Sequence, residues 1–263
     1  MSNQGTALVT GASSGIGAVY ADRLARRGFD LTLVARNTDR LEVAAKRITN
    51  ETGRLVRVVT ADLTDAASLH RVEGLIRSDP ALTLLVNNAG FGAVAPLMES
   101  DIDRMERMVD LNVTALMRLT NAAVPGFVGR GKGAIINISS IAAVAPEILN
   151  GVYGGTKAFV LAFSQSLQHE LGAKGIRVQA VLPGGTATEF WDIAGNGDYG
   201  RSARAMSPEQ MVDAALVGFD RGELVTIPSL QDGALWDEFQ SQRRRLAADF
   251  AHSKPGARYI ASA

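Results

Sequence analysis

Tyr153 and Lys157 stand four residues apart at the head of the apolar run Ala158-Phe159-Val160-Leu161-Ala162-Phe163. On a helix that spacing puts both side chains on one face. A phenol with a pKa near ~10 exchanges protons poorly at neutral pH. An ammonium about 4 Å away, at an effective dielectric near ~20, favours the phenolate by roughly 4 kcal/mol, or about three pK units. The pair therefore predicts a tyrosine tuned for acid–base work, although the same spacing is common on exposed helix faces. Other residues must decide between the two.

The stretch Thr10-Gly11-Ala12-Ser13-Ser14-Gly15-Ile16-Gly17 lies between an apolar run and a helical pattern. Glycine lets a backbone turn tightly and approach a phosphate, while a helix N-terminus offers free N–H donors and a positive dipole end. No lysine follows the last glycine, which sets aside a P-loop and with it an ATPase or kinase. The stretch predicts a dinucleotide site touched by Gly11, Ser13, Ser14, Gly15, Ile16 and Gly17. Such sites usually carry an acidic residue some ~20 positions on, to hold the ribose 2′-hydroxyl. Here Leu33-Val34-Ala35-Arg36-Asn37 offers no carboxylate. Arg36 presents a planar fork of donors suited to a phosphate, so NADP(H) is expected rather than NAD. In Ala61-Asp62-Leu63, Asp62 either accepts from an adenine amine or caps the next helix, with Thr64 and Asp65 as rival caps.

Short β-branched runs alternate with longer helical patterns. Strands are expected at Ala7–Thr10, Leu31–Ala35, Val56–Ala61, Leu84–Asn87, Ala134–Ser139, Val178–Leu182 and Val225–Ile227. Helices are expected near Gly15–Arg27, Arg40–Glu51, Ala66–Ser78, Glu99–Gly126, Val152–Leu171, Pro208–Arg221 and, last, Ala234–Phe250. Such alternation predicts right-handed crossovers and an α/β fold with a parallel sheet covered on both faces. Nothing reads as a linker or a repeat, so 1–263 is expected to form a single domain.

Composition excludes several functions. With 46% hydrophobic and 21% charged residues, the 263-residue chain has the make-up of an ordinary globular protein. A formal net charge of +0 argues against nucleic acid or an anionic membrane as partner. The lack of cysteine excludes disulfides and thiolate metal sites. His70, His169 and His252 are scattered, so no metal site is expected. Met1-Ser2-Asn3-Gln4-Gly5 lacks the shape of a signal peptide, and no apolar run nears the ~20 residues that span a bilayer, so a cytoplasmic location is expected. Arg243-Arg244-Arg245 should be the solvated face of a helix whose stripe is Leu235, Phe239, Leu246 and Phe250.

Thr10–Gly17, Asn87-Asn88-Ala89-Gly90, Asn112, Ser140, Tyr153-x-x-x-Lys157 and Pro183-Gly184 occur in this order. Together they make the chain resemble a short-chain dehydrogenase/reductase of the single-domain type over nearly its whole length. The resemblance implies a Rossmann-type, doubly wound parallel sheet of about seven strands with helices on both faces. It implies that Asn88, Ala89 and Gly90 lie along the cofactor, with Asp62 and Leu63 at its adenine end. Asn112 resembles an asparagine that kinks a long helix and holds a water, and Ser140 stands at the family's usual interval before Tyr153. Pro183, Gly184, Thr186 and Thr188 match a loop that meets the nicotinamide, although Gly185-Thr186 departs from the commoner small-apolar pairing.

Hydride addition to a ketone builds negative charge on oxygen, so the site needs a hydrogen-bond donor and a proton. Ser140 would polarise the carbonyl, and Tyr153 would deliver the proton. Lys157 would lower the tyrosine pKa while gripping the nicotinamide ribose, and Asn112 would anchor a water for proton exchange. The expected activity is hydride transfer between NADP(H) and a ketone or secondary alcohol. Residues 141–151 and 187–191 should line the pocket, and neither segment has an arginine or lysine to hold a carboxylate or a carrier. A bulky apolar ketone is expected, with a substrate lid near 187–206 that includes a flexible 195–200. The segment from Ser207 to Pro228 resembles that of bacterial broad-range ketone reductases. The alternatives are a 3-oxoacyl-carrier-protein reductase, a steroid dehydrogenase or, in another class, a catalytically silent NADPH-binding sensor. The family resemblance also implies a homodimer or homotetramer built through the helices near Glu99–Gly126 and Val152–Leu171.

Overall fold

The computed structural model describes residues 4–260. Seven strands make one sheet: β1 Thr6–Thr10, β2 Asp30–Ala35, β3 Val56–Thr60, β4 Leu82–Asn87, β5 Gly133–Ile138, β6 Ile176–Val181 and β7 Val225–Thr226. All neighbours pair in parallel, in the order β3-β2-β1-β4-β5-β6-β7. Between them run α1 Gly15–Arg26, α2 Thr38–Thr52, α3 Ala66–Ser78, α4 Ile102–Val109, α5 Leu116–Arg130 and α6 Gly151–Leu171. Beyond β6 come two short helices, α7 Phe190–Ala194 and α8 Gly197–Gly200, then α9 Pro208–Asp220 and α10 Ala234–Ala248. This is the expected Rossmann-type α/β fold, with each strand within two residues of its predicted bounds.

Strand side chains alternate between two cores because the pleat has a period of two. Val9, Leu33, Val86 and Ile136 face α1 and α9, while Leu8, Leu85, Ile135 and Val178 face α3, α5 and α6. Burial on both faces explains why the strands read as near-continuous apolar runs. One polar seam crosses the second core, where Asn87 Nδ2 donates to Thr120 Oγ1 (3.0 Å) and Asn137 Oδ1 (2.9 Å). Asn137 Nδ2 continues it to Ser164 Oγ at 2.9 Å.

The predicted helix over Glu99–Gly126 is not one regular helix. Glu99 closes a separate 3-10 turn, Leu97–Glu99, and Asp110–Ala115 between α4 and α5 is wound as a π-helix. Asn150 caps α6 by accepting from the Val152 N–H at 2.9 Å. That cap sets Tyr153 in the first turn and Lys157 one turn further, both on a buried face.

Contacts divide the described residues after Pro228 into two compact units. In the second, Leu235, Phe239, Leu246 and Phe250 are all exposed, so the predicted stripe is not buried. A unit of that size has too little apolar surface to enclose its own helix face. No helix among the described residues is long and apolar enough to cross a membrane.

Candidate active site

In an open parallel sheet, ligands lodge beyond the carboxyl ends of the strands where the strand order reverses. That point lies here between β1 and β4. The loops after both strands open onto a cleft of about 350 Å³. Gly11, Ser14, Gly15 and Ile16 line it from one side, and Asn88, Ala89 and Gly90 from the other. Ser140, Tyr153 and Lys157 also line it, as do Pro183, Gly184, Thr186 and Thr188. Six predicted residues lie outside the lining: Ser13, Gly17, Arg36, Asp62, Leu63 and Asn112.

The first loop fits a pyrophosphate. Gly11 has φ +65°, and a Cβ on Gly17 would sit 2.2 Å from the Gly11 carbonyl oxygen, so only glycine lets the loop fold this tightly. Asn88 pins it, donating from Nδ2 to the carbonyls of Thr10 (2.9 Å) and Gly11 (3.2 Å). Ser14, extended at φ −162°, heads α1 without a side-chain cap, and no acidic residue occupies the first turn. The leading N–H groups of α1 are therefore left for an anion.

The chemistry sits where β5 meets α6. The Lys157 ammonium donates to the Ile138 carbonyl at 3.0 Å and lies 5.7 Å from the Tyr153 ring centroid. Ser139 Oγ donates to the Lys157 carbonyl at 2.7 Å, tying the strand end to the helix. Burial pushes the Tyr153 phenol up to about 12, and a hydrogen bond from Ser140 pulls it partly back. Burial also pulls the Lys157 ammonium down to about 8. Burial thus raises the Tyr153 phenol where lowering by Lys157 was expected, and the ammonium donates to a carbonyl instead.

Asn112, buried in the π-helical turns, joins three segments. Its Oδ1 accepts from the Phe91 N–H (3.1 Å), and Nδ2 donates to the Phe91 carbonyl (2.9 Å) and Thr156 Oγ1 (3.1 Å). Thr156 in turn donates to the Tyr153 carbonyl at 2.8 Å. Both amide protons of Asn112 are thus engaged by protein.

Aromatic rings close the cleft. Phe190 packs 5.6 Å from Tyr153, Trp191 meets Phe190 edge-on at 5.4 Å, and Tyr199 lies 4.3 Å from Trp191, centroid to centroid. Trp191 Nε1 donates to the Thr186 carbonyl at 2.9 Å. A Cβ on Gly185 would meet the Tyr199 ring at 2.4 Å. The unusual Gly185 is thus explained by a ring from α8, and 197–200, inside the segment expected to be flexible, is a helical turn.

Arg36 stands exposed just past β2 and makes no hydrogen bond or ion pair among the described residues. Asp62 accepts from both the N–H (2.9 Å) and the hydroxyl (2.8 Å) of Thr64, while Asp65 caps α3 through the Ser68 N–H at 2.8 Å. Leu63 is buried in the second core. Arg40 carries no signal in the sequence beyond its place at a helix start, and Glu189 and Tyr199 fall there only within the pocket and lid segments. The glycine at 185 is the further trace that Tyr199 leaves in the sequence.

A family model described as short chain dehydrogenase matches residues 5–196, and the chain belongs to that family. It is 48% identical to a short-chain dehydrogenase from Sphingobium yanoikuyae solved in complex with NADPH, with a TM-score of 0.94 over 97% of this chain and 100% of that one. A bulky-bulky ketone specific alcohol dehydrogenase from Comamonas testosteroni is 43% identical, with a TM-score of 0.91 over 99% and 100% of the two chains. A very-long-chain 3-oxoacyl-CoA reductase from Anas platyrhynchos is 36% identical over 197 residues. That match covers 72% of this chain and 62% of the relative, so the chain spans less than two thirds of its length.

Proposed function

We propose that this protein is an NADP(H)-dependent oxidoreductase that interconverts bulky apolar ketones and secondary alcohols. The observation that carries the reading is the buried Ser140–Tyr153–Lys157 set in an aromatic cleft that, Lys157 apart, has no cation among its lining residues. The dinucleotide, when bound, supplies the hydride to the carbonyl carbon or accepts it from the alcohol. Gly11, Ser14, Gly15 and Ile16 would hold its pyrophosphate, Asn88–Gly90 and Lys157 the nicotinamide ribose, and Thr186 and Thr188 the carboxamide. Arg36, unpaired and exposed, is free to meet a 2′-phosphate.

The Ser140 hydroxyl donates to the substrate oxygen and fixes it beside Tyr153. As negative charge builds there, the Tyr153 phenol passes over its proton. A phenol held near 12 keeps that proton at neutral pH, which suits the reductive direction. The Lys157 ammonium stabilises the phenolate left behind, so its charge acts on the product of proton transfer more than on the resting tyrosine. Asn112 steadies Tyr153 through Thr156. Any water used for reprotonation would need partners other than the Asn112 amide protons, which are taken.

The Comamonas enzyme named for bulky ketones supports the substrate class, and the NADPH complex of the Sphingobium relative supports the cofactor. The avian relative supports a 3-oxoacyl thioester as second reading. NADPH oxidation measured against a panel of aryl and branched ketones, small ketones and 3-oxoacyl thioesters separates them. The bulky free ketones should give the highest kcat/KM, and faster thioesters would overturn the substrate class. Ala35→Asp should invert the cofactor preference by repelling a 2′-phosphate and accepting from a 2′-hydroxyl. Arg36→Ala should raise KM for NADPH about tenfold with NADH little changed, since a charge-assisted hydrogen bond is worth roughly 1.5–3 kcal/mol and exposure lowers that.

A further inference from the structure

One ion pair ties together two segments that border the cofactor end of the cleft. Arg40 Nη1 lies 2.7 Å from Glu189 Oε2, across 149 residues of sequence. Arg40 is in the first turn of α2, four residues past Arg36, and Glu189 lines the cleft immediately before α7. Arg40 holds the Glu189 carboxyl below the usual range, with the uncapped Ser14 hydroxyl adding to the effect. Close by, a Cβ on Gly15 would meet the Thr188 methyl at 3.1 Å. The glycine-rich loop, the start of α2 and the start of the lid therefore meet at one point.

We infer that the Arg40–Glu189 ion pair is a latch on the lid that is sensitive to the cofactor's phosphate, Arg40 leaving Glu189 for the 2′-phosphate when the dinucleotide binds. Their side chains are 50% and 53% exposed, and a pair so placed is screened by water and contributes little to stability. A weak bond is what a replaceable contact requires. A phosphate carries up to two charges and accepts both prongs of a guanidinium, so it competes well against one carboxylate. Glu189, once released, frees the lid segment that carries Phe190 and Trp191. A dinucleotide without the phosphate leaves the latch fastened, so Glu189 acts as a positioning residue that sharpens cofactor choice.

The inference rests on the NADP(H) reading and is tested by equilibrium binding, without turnover. Kd is measured by calorimetry for NADPH, NADH and 2′-AMP with the wild-type chain, Glu189→Gln, Arg40→Ala and the double variant. Glu189→Gln should tighten NADPH and 2′-AMP about two- to fivefold, because Arg40 is no longer shared. Arg40→Ala should weaken both about five- to tenfold and leave NADH within twofold. In the Arg40→Ala background Glu189→Gln should change nothing further, since it acts through Arg40. The latch is overturned if Glu189→Gln leaves 2′-AMP affinity unchanged. It is equally overturned if the tightening persists without Arg40, which would mark a general charge effect. Wild-type chain that binds NADH but neither phosphorylated probe overturns the latch and the cofactor assignment together. The expected binding pattern in a chain that reduces no ketone upholds the latch and sinks the proposed activity alone.

Discussion

Tyr153 and Lys157 oppose each other in their response to burial. Burial pushes the tyrosine toward its protonated form, up to about 12, and the lysine away from its charged form, down to about 8. Tyr153→Phe keeps the ring against Phe190 and removes the proton. It should lower kcat by 10²-fold or more while NADPH affinity stays within about threefold. Retention of a tenth of the wild-type kcat would refute the role. For Lys157 the folded pKa of about 8 lies below the ordinary 10.5. Between those values the unfolded chain binds a proton that the folded chain does not, so stability rises with pH across that window. Below pH 8 the cost of the buried charge is present in full. Lys157→Met should erase this rise, read as the difference in urea-unfolding free energy between pH 7.5 and 9.5, and lower kcat at least about 100-fold. A slope unchanged in the variant would show that the wild-type rise comes from other groups.

At the scale of elements, the lid is held by interlocking rings as well as by hydrogen bonds. Gly185 has no side chain because the Tyr199 ring lies over it, and Tyr199 in turn packs on Trp191, whose indole nitrogen is tied to Thr186. Gly185→Ala should displace Tyr199 and raise KM for a bulky ketone about fivefold, with Kd for NADPH less affected. In a Tyr199→Ala background the same change should cost little more, because the clash is gone. Additive effects in that cycle would mean that position 185 acts through some other neighbour. The break between α4 and α5 has a similar local logic. Asn112 faces the Phe91 backbone, and the wider π-helical turns carry it there.

At the scale of the molecule, apolar side chains remain uncovered in several places. Val109 and Met117, beside the π-helical turns, are 38% and 41% exposed, and Leu235, Phe239, Leu246 and Phe250 are exposed in the unit beyond Pro228. Where such side chains join into a contiguous patch, they form a surface on which a second copy could pack. The chain is expected to run as a homodimer or homotetramer in light scattering at micromolar concentration. A strict monomer there would refute that expectation and leave these side chains without a partner of their own kind.

The strands, most of the helices, the parallel sheet and the shared helix face of Tyr153 and Lys157 were legible in the sequence because each rests on local pattern. Runs buried on both faces mark the strands, the i,i+4 spacing joins Tyr153 to Lys157, and the glycines of 11–17 record a backbone with no room for a Cβ. Balances between distant segments were not legible. Proximity of Lys157 to Tyr153 suggested a lowered phenol, yet burial reverses the sign, and burial is a property of the whole cleft. The saturation of Asn112 depends on Phe91, 21 residues away in sequence, and the reason for Gly185 lies in α8. Arg40 and Glu189 are each unremarkable in their own surroundings, and only the folded sheet brings them within 2.7 Å. Local preference is encoded over a few residues, whereas desolvation and long-range pairing arise only when the chain has closed on itself.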